Sequence, residues 1–180
     1  MSNGLNLKEI SKQIKSSGKS GSVIWAREEK QNFISNRHFL LRVDLVPSDI
    51  LVALFTVFLK VPAVGETLIC SFGKVQDQGN KKPITFTTIY NPEKQTDKGK
   101  VTSFIKESGE KLQMRIIQFS EHFTYVNEQL MKMTTDKEPM SIGGPMMPVY
   151  FAEGNLLLLP YKVSTPEDNV LSGLINNTVE

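Results

Sequence analysis

The chain has 180 residues, 39% of them hydrophobic and 22% charged, with 21 Lys and Arg against 19 Asp and Glu. That length sets one domain with tails, or at most two small ones, and the apolar fraction excludes wholesale disorder. A net charge of +2 is too small to imply a nucleic-acid partner by itself. The single cysteine, Cys70, allows no internal disulfide and suits a reducing compartment.

The N-terminus, MSNGLNLKEISKQIK, lacks the apolar stretch of a secretory signal. The longest apolar run, Ile50 to Leu59, is about ten residues and too short to span a bilayer. The expectation is a cytoplasmic protein with no membrane partner, in a host cytoplasm if the chain is viral.

In chain order, Leu5, Leu7, Ile10 and Ile14 recur among lysines with the spacing of a short amphipathic helix over residues 5–16. SSGKSGS (16–22) reads as a flexible linker, and Val23-Ile24-Trp25 as a short strand anchoring this arm. Residues 1–32 are thus expected to form an arm and linker, with the main domain spanning 33–163.

Phe39 to Val43 reads as a strand. Pro47-Ser48-Asp49 then offers a helix start, and Ile50 to Leu59 a helix ending before Pro62. Strands are expected at Leu68–Phe72 and Ile84–Tyr90, separated by a turn at Asp77-Gln78-Gly79-Asn80. Asn91 to Lys100 reads as a polar loop and Val101 to Ile105 as a strand.

After the turn Ser108-Gly109-Glu110-Lys111 the pattern recurs. Leu112 to Phe119 reads as a strand. Ser120 offers an N-cap, and Phe123 to Met133 a helix with Val126 and Leu130 four apart. Strands follow at Pro139–Ile142, Met147–Phe151 and Asn155–Val163, and residues 164–180 read as a mobile polar tail. The order strand, helix, three strands therefore appears twice, in residues 37–107 and 111–163, as a repeat of element order and not of sequence.

Few residues offer chemistry. Gly18-Lys19-Ser20 resembles the end of a phosphate-binding loop, but position 13 is Gln13 where that loop requires glycine. Cys70, His38 and His122 are too few and too scattered for a zinc site, so no metal and no cofactor is expected. A nucleophilic pair of Cys70 with His38 or His122 remains as an alternative, a small cysteine-dependent enzyme. His122 reads as a surface residue in the first turn of a helix. Met131, Met133, Met140, Met146 and Met147 read as adaptable core filling.

Lys94, Lys98, Lys100, Lys106 and Lys111 form a basic stretch interleaved with Asp97, Glu107 and Glu110. They read as a solvated face, with a nucleic-acid-binding module as the alternative. Thr56 is the only polar residue between Ile50 and Leu59. A helix apolar on nearly all sides must be covered on more than one. Ile50, Leu51, Leu54, Phe55 and Phe58 are accordingly expected to mark a surface covered by the 5–16 arm, by a second copy in a homo-oligomer, or by a protein partner.

The segments FTYVNEQLMKM (123–133), EPMSI (138–142), MPVYF (147–151) and LLLLPYKV (156–163) together resemble the closing half of a bacterial DNA sliding-clamp domain. The resemblance implies an α+β fold: a single clamp-like domain built from a duplicated β-α-β-β-β unit, two helices packed on antiparallel sheets, plus the N-terminal helical arm. It also implies a pocket for short peptide motifs at Leu159, Pro160, Tyr161 and Lys162. Clamp chains carry three such domains and present basic helices to DNA, whereas Pro47 to Leu59 has no Lys or Arg here. The expected function is a non-catalytic binding protein, a replication accessory or a phage-type regulator, acting through protein contacts.

Overall fold

The structure is a computed structural model that describes residues 4–76, 85–87, 90–108 and 111–162. It is mixed α and β with mainly antiparallel sheets, as an α+β fold requires. Its first element is helix α1 (Leu7–Ser20), capped by the side chain of Asn6, which accepts from the Glu9 amide. Strands β1 (Ser22–Arg27), β2 (Asn32–Ser35) and β3 (Phe39–Val43) follow, then helix α2 (Ser48–Phe58) and strands β4 (Thr67–Ser71) and β5 (Lys74–Gln76).

After a 3-10 turn at Pro92–Lys94 come β6 (Asp97–Lys98), β7 (Lys100–Ser108), β8 (Leu112–Gln118) and β9 (Phe123–Asn127). The single turn α3 (Glu128–Met131) leads into β10 (Met140–Ser141), β11 (Val149–Phe151) and β12 (Leu156–Leu158).

The described strands form two sheets. One has nine strands in the order β5-β4-β1-β2-β3-β12-β11-β10-β6, the other three in the order β7-β8-β9. The middle of the large sheet is covered on both faces, and β3, β11 and β12 there read as near-continuous apolar runs. Alternation sends Val23 and Trp25, Phe39 and Leu41, Val149 and Phe151, and Leu156 and Leu158 to one face. Ala26, Leu40, Tyr150 and Leu157 go to the other, where they meet Phe33, Phe86 and Tyr90.

The first face holds the main core. Ile10 and Ile14 of α1 and Ile50, Leu54 and Phe58 of α2 pack there with Ile117, Phe119, Val126, Leu130 and Met133 from the small sheet and its flank. Trp25 anchors the cluster. Its ring lies 6.0 Å from that of Phe58, and its indole N–H donates to Asn32 Oδ1 at 3.2 Å, so the buried donor is satisfied.

Several expectations are corrected. Residues 16–20 are not a linker. They form the last turns of α1, held because Gly18 is buried against Val57 of α2: a Cβ at Gly18 would lie 2.8 Å from Val57 Cγ2. The Gly18-Lys19-Ser20 sequence therefore lies in a packed helix and forms no phosphate loop. The arm is likewise no appendage. Ile10 and Ile14 are wholly buried, and β1 lies between β4 and β2, so the expected boundary at residue 33 falls inside the sheet.

Residues 123–133 do not form one helix; only the single turn α3, Glu128–Met131, is helical. FTYVN is β-branched and aromatic, and as β9 it buries Thr124 and Val126 on one side and Tyr125 on the other. The hydroxyl expected to cap that helix, Ser120 Oγ, instead meets Asp97 Oδ1 at 3.0 Å. The second half, 111–163, consequently does not repeat the strand-helix-strand order of the first half, 37–107, and the doubled unit is not formed by the described residues. Of the strand expected at Ile84–Tyr90, the described residues Thr85 to Thr87 and Tyr90 are not strand; the Glu28 carboxylate accepts from the amides of Phe86 and Thr87 and from the Thr87 hydroxyl. The turn at 77–80, residues 109 and 110 of the turn at 108–111, and the tail 164–180 lie outside the described residues.

Candidate docking surface

Helix α2 begins after Pro47, with Asp49 in its first turn, and ends at Leu59 in a left-handed conformation (φ 57°). Its inner face is settled by the core: Ile50, Ala53, Leu54 and Phe58 are buried. Among the described residues nothing covers its outer face. Leu51 is 37% exposed, Val52 62%, Phe55 50% and Leu59 74%. The apolar surface continues into the following loop at Val61 and Val64. Single exposed apolar residues are ordinary, but a contiguous run along one helix marks an interaction site.

The five residues expected to share one covered surface thus divide. Ile50, Leu54 and Phe58 point inward, while Leu51 and Phe55 stay in solvent. The expected lid, α1, is present but covers only one flank of α2, where Gly18 meets Val57.

On its own outer face α1 presents Lys8, Lys12, Lys15 and Lys19, all exposed. Their 4-3-4 spacing places them on one helical ridge. Lys12 leans on Glu9 at 3.5 Å. The ridge borders an open groove of about 760 Å³ whose walls also include Asp49 and Val52 of α2. Four lysines facing one carboxylate give the groove a positive field, and Val52 is the apolar residue in its wall. Such a pairing suits a ligand that is acidic on one side and apolar on the other.

The lysine ridge was missed in the sequence because 16–22 read as linker, which cut the 4-3-4 pattern before Lys19. Val52 and Leu59 were missed because an apolar helix gives no sign of which side will be buried.

The remaining candidates lie elsewhere. Leu159, Pro160, Tyr161 and Lys162 follow β12 and extend past it. The Leu159 amide donates to the His38 carbonyl at 2.9 Å, and the Tyr161 amide to the Tyr125 carbonyl at 2.8 Å. The Tyr161 ring stacks on His38 with centroids 6.4 Å apart. Leu159 and Lys162 are exposed.

The basic stretch is dispersed. Lys94 closes the 3-10 turn, Lys98 lies on β6 at the edge of the large sheet, Lys100 and Lys106 on β7 of the small one, and Lys111 at the turn into β8. Lys106 Nζ sits 5.8 Å from the centre of the Tyr125 ring, a cation–π contact.

Cys70 is buried on β4 with its Sγ 3.7 Å from the Gly18 carbonyl, and burial pushes its thiol pKa up, away from the reactive thiolate. His122 lies in the β8–β9 turn, stacked on Phe119 with centroids 4.9 Å apart, and its Nδ1 is 4.0 Å from Asp97 Oδ2. Burial lowers its pKa, although Asp97 and Glu121 act in the opposite direction. Ser120 meets Asp97 and not the imidazole, so these three side chains do not form a relay from hydroxyl to histidine to carboxylate.

Arg115 holds Glu128 through two contacts of 2.8 and 2.6 Å, and this pair pins α3 to β8. Met131 and Met133 are core residues, whereas Met146 is exposed. No group of three or more His, Cys, Asp or Glu among the described residues is placed to hold a metal ion. No helix among the described residues is long and apolar enough to cross a membrane.

No protein family, characterised protein or solved structure matches this chain.

Proposed function

We propose that the protein is a non-catalytic docking module whose α1–α2 face receives an acidic amphipathic helix from a partner protein. One observation carries the reading: the lysine ridge of α1 borders an open groove walled on the α2 side by Val52, and the same helix exposes Leu51, Phe55 and Leu59 beyond that groove. An apolar helix face laid in a groove is a recurrent mode of peptide capture, read as anchors at helical spacing. The lysines add charge complementarity, which favours acidic segments and speeds encounter.

A replication accessory and a phage-type regulator are both compatible with such a module. A nucleic acid would use the lysines and leave Phe55 and Leu59 without a partner, so it is the weaker reading. A homo-oligomer buried through α2 is the other competitor.

The reading is tested by titrating a panel of synthetic acidic amphipathic helices, followed by fluorescence anisotropy. Saturable binding is expected that weakens with salt and is lost in Phe55→Asp and in Lys12→Glu with Lys15→Glu. Light scattering runs in parallel. A stable dimer that Phe55→Asp splits would replace the reading with self-association, and salt-sensitive binding of duplex DNA indifferent to Phe55→Asp would replace it with nucleic-acid binding.

A further inference from the structure

Strand β7 is the outer strand of the small sheet. It pairs with β8 on one side, and no described strand pairs with it on the other. The start of that free side is occupied, because the Gly99 and Val101 amides donate to the Pro139 and Lys137 carbonyls at 2.7 and 3.0 Å. Beyond Val101 no further backbone bond joins that side to a described residue.

The Val101 amide thus faces away from β8. Its partner Ile117 and, two residues on, Arg115 therefore turn their backbone groups to β9. Ile105 stands opposite Arg115, so its amide and carbonyl point outwards, and those of Glu107 follow by alternation. Phe104 is 40% exposed and Ile105 43%. These neighbours lie on opposite faces, so the edge is half bare on both. Natural edges are guarded by a bulge, by charge or by cover. The irregularity in β7 lies between Val101 and Ile105, and Ile105 to Ser108 keep a regular register with β8. Lys106 is drawn over the Tyr125 ring.

We propose that a second copy of this chain pairs along this edge, β7 against β7, antiparallel about a two-fold axis through Ile105. Directly opposed residues share a face, so such an axis passes through a residue that opposes itself. An axis at Phe104 or earlier runs the partner strand alongside Lys100 and Val101, where Lys137 and Pro139 already lie. An axis at Lys106 or Glu107 sets a charge against its own copy, which is destabilising, and one at Ser108 lies at the strand's end. The axis at Ile105 avoids all three. It opposes Ile105 to itself, Phe104 to Lys106, Ser103 to Glu107 and Thr102 to Ser108, with no like charges facing. The outward amide and carbonyl of Ile105 are exchanged between the copies, and the two small sheets become one. None of the residues lining the α1–α2 groove is on β7, so this interface is independent of the docking reading.

The test is light scattering of the full chain over a concentration series. The mass is expected to rise towards two chains, because a single strand pair is a small interface that exchanges with monomer. Ile105→Pro removes the outward amide and leaves the bonds to β8 intact; it is expected to abolish the rise while leaving the thermal melt of the monomer in place. Ser103→Glu sets two carboxylates against Glu107 and is expected to abolish the rise as well. Adding Glu107→Lys to it should restore the dimer, a recovery that a mere folding defect would not show.

A monomer at every concentration overturns the proposal. A dimer indifferent to Ile105→Pro does so too, and if Phe55→Asp splits that dimer the contact belongs to α2. Loss in Ser103→Glu without recovery by Glu107→Lys overturns the axis at Ile105. A dimer that persists in Phe55→Asp and dissolves in Ile105→Pro supports it, and acidic-helix binding by the Ile105→Pro monomer then tests the docking reading separately.

Discussion

Helices α1 and α2 lie side by side on one sheet and solve the same packing problem with opposite sequences. Both bury isoleucines and leucines against the same core. On its outward side α1 carries lysines at every third or fourth position, as a solvated helix does. The outward side of α2 carries Leu51, Val52, Phe55 and Leu59. Folding accounts for the inner faces of both helices and for the outer face of α1. It gives no reason for the outer face of α2, and that face is what the proposed docking role would use.

The largest expected effect comes from the inner faces, where the two helices should be equal. Ile14→Ala and Leu54→Ala should each cost about 2–5 kcal/mol by cavity formation, measured from urea midpoints. A much smaller loss for Ile14→Ala would break the equivalence and return α1 to the status of an arm.

Gly18→Ala should come next. Alanine favours a helix over glycine by up to about 1 kcal/mol. Here, however, its methyl would meet the stiff Val57 side chain, and overpacking of this kind costs about 1–3 kcal/mol. Net destabilisation, relieved by pairing with Val57→Ala, would confirm that the two helices touch there.

A smaller effect should separate the helices from the small sheet that shares their core. Burial holds His122 below its ordinary pKa, so the unfolded chain binds the proton more readily than the folded one. Stability should be full above about pH 6.5, the unperturbed value, and fall as pH drops below it. His122→Gln should flatten this part of the profile in pH-dependent thermal melts without altering the α1–α2 contact.

The smallest effect on stability should come from the outer face of α2. Phe55→Asp should change stability by no more than about 0.5 kcal/mol, as exposed substitutions usually do, while abolishing partner binding. A large loss of stability there would mean that Phe55 serves the fold, and the contrast between the two helices would vanish.

Much of the strand content was readable in the sequence because alternation and turn residues are local signals. Phe39 to Val43, Leu112 to Gln118 and Val149 to Phe151 emerge as strands close to their expected bounds. The helix expected at 123–133 failed because Val126 and Leu130 satisfy a helical spacing by chance, while Thr124, Tyr125 and Val126 alternate across β9. The end of α1 failed because serine and glycine resemble a linker until a neighbouring helix is known to press on Gly18. Of the docking surface, the apolar character of α2 was legible. The partition between Leu54 inside and Phe55 outside was not, because both are apolar and only the tertiary arrangement distinguishes them.

Strand β12 lies between β3 and β11, pairing Leu156 with both Leu41 and Phe151. The sheet is therefore buttoned through its middle by a strand more than a hundred positions downstream of β3. A nascent chain halted before residue 156 has two unjoined half-sheets, each showing a bare apolar edge. Assembly of the large sheet must wait until that late segment has cleared the ribosome.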